Sequence, residues 1–251
     1  MNEIPESRVR AVAGVVAAAA TAMATSITIT QRGYFSTHHL WSARHFAALA
    51  TAQEAVQGQT PRFSVRHRSY VISAITGSVA FMEAAINEVF QDAADDRESY
   101  IHPLAPAVRT TLGAFWTVTD DGKKYIPVQE KYNLALCMAG KSLIDRGQNP
   151  YTDAKILINL RNWLIHFRPE DFSSDTEHKL GTRLKEKKFP SNALMAGAGN
   201  SYFPDHALGA GCAHWAHTAA VNFVDRFASV LGLTLNYQIA NFDNEFPEII
   251  D

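Results

Sequence analysis

The chain has 251 residues, 47% hydrophobic and 19% charged, enough for one sizeable domain with its own apolar core. Its 14 Gly and 10 Pro in a mixed apolar background exclude collagen-like, coiled-coil and disordered chains. Lys and Arg number 23 against 25 Asp and Glu, so no global basic field draws the chain to nucleic acid and any such contact needs a local patch. Cys137 and Cys212 are the only cysteines; they build no disulfide framework, and a reducing, cytoplasmic setting is the expectation.

Residues 11–24 form an Ala/Val-rich run behind Arg8 and Arg10. Its Ala-Met-Ala ending overlaps the pattern of a secretory signal, but Glu3 and Glu6 offset the arginines and the run is Ala-rich and too short to span a bilayer. An N-terminal arm or helix over 1–36 is the preferred reading. No later run reaches the ~18 consecutive apolar residues of a membrane helix, so no membrane partner is expected.

The rest predicts helices joined by irregular loops. His39 to Ala55 carries an apolar stripe at Leu40, Phe46 and Leu49. Ser69 to Ala94 is a long helix, with Ile75, Val79, Met82, Ile86 and Val89 at helical spacing and Glu83 and Asn87 four apart on another face. Thr117-Val-Thr before Asp-Asp-Gly predicts a short strand and turn within 103–122. Pro127 opens a helix running past Leu143 to Gly147. Asn149-Pro150 is a turn, and the next helix runs to about Phe167 before Pro169 stops it. The segment from Phe172 to Gly211 reads as one long irregular connection. Cys212 to Leu231 is the last strong helix, with Trp215, Ala219, Phe223 and Phe227 on one stripe. A polar, acidic tail with one short strand fills 233–251. The class is mainly α: a helical bundle over 37–232 with long irregular connections.

The helix before Pro169 carries the chemistry. Ile156, Leu160, Trp163 and Phe167 recur at intervals of 4, 3 and 4 as a core-facing stripe, and Lys155, Asn159, Asn162 and His166 repeat that spacing on a polar face. Asn162 and His166 are neighbours one turn apart. The carbonyl end of a helix favours a cation, which places His166 to take or give a proton near neutral pH. Arg161 adds a fixed planar charge suited to phosphate. Together they are a minimal set for cleaving a phosphodiester without a metal.

Arg161-Asn-Trp-Leu-Ile-His166 resembles the Arg-x(4–6)-His motif of the HEPN superfamily (higher eukaryotes and prokaryotes nucleotide-binding). Arg32…His38, Arg62…His67 and Arg97…His102 also match by spacing, but only Arg161 opens a motif that completes a long apolar helix. The early helix with Phe81-Met-Glu-Ala-Ala-Ile-Asn-Glu88 and the late Cys-Ala-His-Trp-Ala helix are similar to that family's layout, over roughly residues 63–232. The resemblance implies a helical bundle that dimerises to bring two motifs into one cleft. It implies a metal-independent endoribonuclease of toxin–antitoxin, antiphage or RNA-processing type, needing no cofactor and leaving 2′,3′-cyclic phosphate ends. His166 would activate the ribose 2′-OH or protonate the leaving oxygen, Arg161 would stabilise the charged phosphorus and Asn162 would orient one of them. Glu83 and Asn87 would support them from the facing helix. Lys179, Arg183, Lys185, Lys187 and Lys188 would hold flanking phosphates. The partners implied are RNA, a second copy of the chain and an antitoxin protein. The alternative is a non-catalytic module of the same fold that binds a nucleotide, an RNA or a partner protein.

Other chemistries are not expected. Cys212, His214 and His217 share one helix with no fourth ligand nearby, so they do not spell a zinc site. Gly140-Lys-Ser142 lacks the first glycine and the preceding strand of a phosphate loop, and no Gly-x-Ser-x-Gly elbow occurs.

Overall fold

The computed structural model describes residues 31–56, 62–119, 123–173 and 175–239. The Ala-rich run and the last part of the acidic tail lie outside them. From Tyr34 onward the described residues are mainly helical, with no strand among them. In chain order the helices are α1 (Ser36–Ala55), α2 (Val65–Ala94), α3 (Pro106–Val118), α4 (Val128–Met138), α5 (Tyr151–Ile165), α6 (Lys179–Lys185), α7 (Ala210–Leu231) and α8 (Asn236–Ile239).

α2 is the axis of the bundle and packs against α1, α3, α4, α5 and α7. It begins at Val65 because the Ser64 hydroxyl caps it, accepting the His67 N–H at 3.2 Å. All five predicted stripe residues, Ile75 to Val89, are buried. Over 18 residues α2 reaches a mean hydropathy of 1.4, enough by length and composition for a membrane span, and half of that window is buried inside the bundle. α1 meets α2 through small residues, Ala43, Ala47 and Ala50, with Leu40; Phe46 is half-buried and stacks on Tyr70. From the other side, the Tyr132 hydroxyl of α4 donates to the Met82 carbonyl at 2.5 Å, and its ring packs edge-on to Phe223 and Phe227 of α7.

Four elements differ from the sequence expectation. Residues 106–118 are helix and no strand forms at Thr117-Val-Thr; the expected Asp-Asp-Gly turn lies outside the described residues. The hydroxyls of Thr110, Thr111 and Thr117 each bond the carbonyl four residues back, which accommodates β-branched residues in a helix. α4 stops at Met138 rather than Gly147: Gly140 turns left-handed at φ +65 and the Lys141 N–H closes on the Leu136 carbonyl. Residues 141–150 are then held by the buried Asn133 amide, which accepts the Ile144 N–H at 3.0 Å. The segment 172–211 is not wholly irregular, since it contains α6 and short turns at Ala193–Met195 and Tyr202–His206. Residues 233–239 pack on the bundle rather than forming a polar tail: Leu233, Leu235 and Tyr237 are buried, 236–239 are the short helix α8, and Tyr237 packs edge-on to Phe81 at 4.8 Å, while the rest of the stretch expected to hold a strand lies outside the described residues.

α3 lies tight on the end of α2. A Cβ on Gly113 would stand 2.6 Å from the Ala93 carbonyl oxygen and 2.9 Å from the Ala94 Cα, backbone that cannot swing aside. Gly113→Ala should therefore lose about 2 kcal/mol of stability despite alanine's better helix propensity. It should also disturb the parallel Phe90–Trp116 stack, 5.4 Å between centroids. A denaturant titration with near-ultraviolet dichroism checks both, and an alanine variant at least as stable as wild type would contradict the close approach.

Candidate site on the motif helix

α5 buries Ala154, Ile156, Leu157 and Leu160 against α2 and α7. The predicted core stripe diverges beyond Leu160, where Trp163 is half-buried and Phe167 exposed. The helix ends at Ile165, one turn before Pro169, and His166 caps it with its backbone N–H on the Asn162 carbonyl at 2.9 Å.

The polar stripe faces outward. Lys155 and His166 are exposed and Asn159 and Asn162 half-buried, with the exposed Ile165 beside them. Arg161 is half-buried on the flank, and its Nε is shut off from solvent with no hydrogen-bond partner. The side chains of Arg161, Asn162 and His166 make no hydrogen bond or ion pair with any described residue. At 100° per residue, Arg161 and His166 are about 140° apart around the helix, while Asn162 and His166 are about 40° apart. One copy of α5 therefore presents Asn162 and His166 together and Arg161 to the side.

Glu83 and Asn87 have another partner. Both turn to Lys131 of α4, whose ammonium is buried at 2.9 Å from Asn87 Oδ1, 3.7 Å from Glu83 Oε1 and 5.6 Å from the centre of the Trp116 ring. They satisfy a buried lysine, as buried polar groups must be satisfied. No hydrogen bond or ion pair joins them to the motif.

The basic run is α6 and the residues after it. Lys185 pairs with Glu177 and lies over the Tyr202 ring, and Lys187 pairs with Asp153 at 2.7 Å. Lys179, Arg183 and Lys188 are exposed and make no ion pair with a described residue. The free positive charge is thus three side chains, not five.

Between the end of α5 and α6 lies a feature that sequence reading missed, a cavity of about 500 Å³ lined by Asp171, Phe172, Glu177, His178, Lys179 and Phe203 among others. Neither Arg161 nor His166 lines it. Behind it, Trp163 packs edge-on to Phe167, Phe172 and Phe203 and donates its Nε1–H to Glu170 at 2.8 Å. His178 lies flat on Phe203, with centroids 4.5 Å apart and planes 11° apart. Its Nδ1 accepts the Leu180 N–H at 3.2 Å, so the proton of the neutral ring sits on Nε2, 3.9 Å from Glu170. The one available signal was weak: Leu180 and Leu184 repeat at four behind a histidine able to cap them.

Elsewhere, burial pushes the Cys212 thiol up to about 12 and His214 bonds the Thr51 hydroxyl at 2.8 Å. Among the described residues no group of three His, Cys, Asp or Glu side chains could hold a metal ion. No family model matches the chain, and neither a curated protein nor a solved structure matches it.

Proposed function

We propose that this chain is a metal-independent endoribonuclease of HEPN type that works as a homodimer in the cytoplasm. It would serve as a toxin or antiphage defence component, held in check by an antitoxin protein. The observation that carries the reading is the unengaged trio on α5. Arg161 makes no hydrogen bond or ion pair with a described residue, and only its Nε is shut off from solvent, so the planar end of the guanidinium stays available to a phosphate oxygen. His166 is solvent-accessible at the carbonyl end of its helix, able to exchange a proton with a ribose hydroxyl or a leaving oxygen. The angular separation of the two residues supports a second copy, in which the arginine of one helix complements the histidine of the other. Lys179, Arg183 and Lys188 supply the local positive patch for the RNA backbone.

The purified chain incubated with RNA in excess EDTA should cut it and leave 2′,3′-cyclic phosphate ends, and it should scatter light as a dimer at micromolar concentration. Cleavage lost in EDTA and restored by a metal ion would overturn the mechanism, and a fully active monomer would overturn the paired cleft. A second reading, a non-catalytic module that binds RNA or a protein, draws on the exposure of His166, because acid–base groups gain most where water is excluded. RNA retained but left uncut would decide for it.

A further inference from the structure

The cavity between α5 and α6 plays no part in the chemistry assigned to Arg161 and His166, yet it has the size and lining of a ligand site. We infer that it holds one unpaired guanine nucleotide of the RNA, a deepening that rests on the RNA reading above. Three features converge on that ligand.

The first is a fixed flat ring. His178 has one face on Phe203 and is pinned by the Leu180 N–H, and a quarter of the side chain remains exposed at the cavity. The half-buried Phe172 stands edge-on to it, with centroids 6.1 Å apart and planes 65° apart, and walls the cavity, so the exposed part of the imidazole is the surface for a planar aromatic ligand. The second is an unspent carboxylate. Glu177 is neutralised by Lys185, whereas Asp171 is exposed and makes no hydrogen bond or ion pair with a described residue. An ionised carboxylate only accepts hydrogen bonds, through two parallel oxygens. Guanine is the base whose pairing edge offers two parallel donors, N1–H and the N2 amino group. Uracil sets its single donor between two carbonyls that repel a carboxylate. The third is the free ammonium of Lys179, which also lines the cavity and suits the nucleotide's phosphate. Stacking holds any base; the Asp171 carboxylate selects guanine.

Titration calorimetry of the full chain with GMP, IMP and UMP tests this. IMP differs from GMP only in lacking the N2 amino group. GMP should bind at least 10-fold more tightly than IMP or UMP. Asp171→Asn, an exposed change that leaves the helices intact by circular dichroism, should bring GMP down to the level of IMP. Lys179→Ala should weaken GMP and IMP by the same factor. Equal binding of GMP and UMP, or unchanged discrimination in Asp171→Asn, would overturn the guanine assignment. RNA cleavage with no GMP binding up to millimolar concentration would remove the pocket and leave the nuclease reading standing. GMP binding without RNA cleavage would do the reverse.

Discussion

Glu54→Ala should destabilise the protein by about 3 kcal/mol, the range for breaking a buried hydrogen-bonded pair. Glu54 stands in the last turn of α1 and gathers three parts of the bundle. Its Oε1 accepts from His67 Nε2 at 2.8 Å and from the Ala210 N–H at 2.7 Å, and its Oε2 from the Ala193 N–H at 3.4 Å. His67 is buried near the start of α2, and Ala210 is the first residue of α7. Removing the carboxylate strands that imidazole and an unpaired N–H at a helix N-terminus. For a domain of this size the melting temperature should fall by about 6–12 °C. A loss under 1 kcal/mol by denaturant titration would show that the junction does not depend on this side chain.

The same residue sets a pH window. Burial pushes the Glu54 carboxyl up, but the hydrogen bonds from His67, Ala210 and Ala193 outweigh it and hold the group below its ordinary 4.5. The unfolded chain therefore takes up the proton first as pH falls. The stabilisation is complete above about 4.5 and is lost as pH drops through the folded value. His217 acts in a higher window. Burial, with Arg44 and His214 nearby, lowers its ring to about 4, so stability drains as pH falls from 6.5 towards 4. Glu54→Gln should flatten the stability profile below about 4.5 and leave the slope above it in place.

His166→Ala should lower RNA cleavage by at least about 100-fold, the usual contribution of a positioned acid or base. Its exposure at the helix end predicts an unchanged melting temperature. Arg161→Ala should lower cleavage comparably, by removing the charge that meets the phosphorus transition state. Arg161→Lys should recover little, because an ammonium does not reproduce the planar fork. The pairing across two copies gives a sharper check. Mixing the two inactive alanine variants should restore part of the activity, since a mixed dimer retains one arginine facing one histidine. Single variants as active as wild type would end the nuclease reading, and inactive variants that fail to complement would end the shared cleft.

The helices were legible wherever the apolar period was long. The stripe of α2 from Ile75 to Val89 and the Ala219–Phe223–Phe227 stripe of α7 are buried as their spacing predicts. On α5 the outward polar face was equally readable, because Lys155, Asn159, Asn162 and His166 follow one helical row whatever packs behind them. The threonine-rich α3 was not, since the strand preference of its branched residues yields to the packing of Leu112, Gly113 and Trp116 against α2.

A mainly helical chain, with an arginine and a histidine five apart on one helix, can be read from the order of residues alone, because period and spacing are local properties. Where the other polar groups turn was set by packing. It gave Glu83 and Asn87 to the buried Lys131, bound Lys187 to Asp153, and set Asp171, His178 and Lys179 around one cavity with Phe203, more than twenty residues further on. The physical reason is the cost of burying charge without a partner. Partners are chosen among groups that packing brings together, and those distances are not written in the order of the chain.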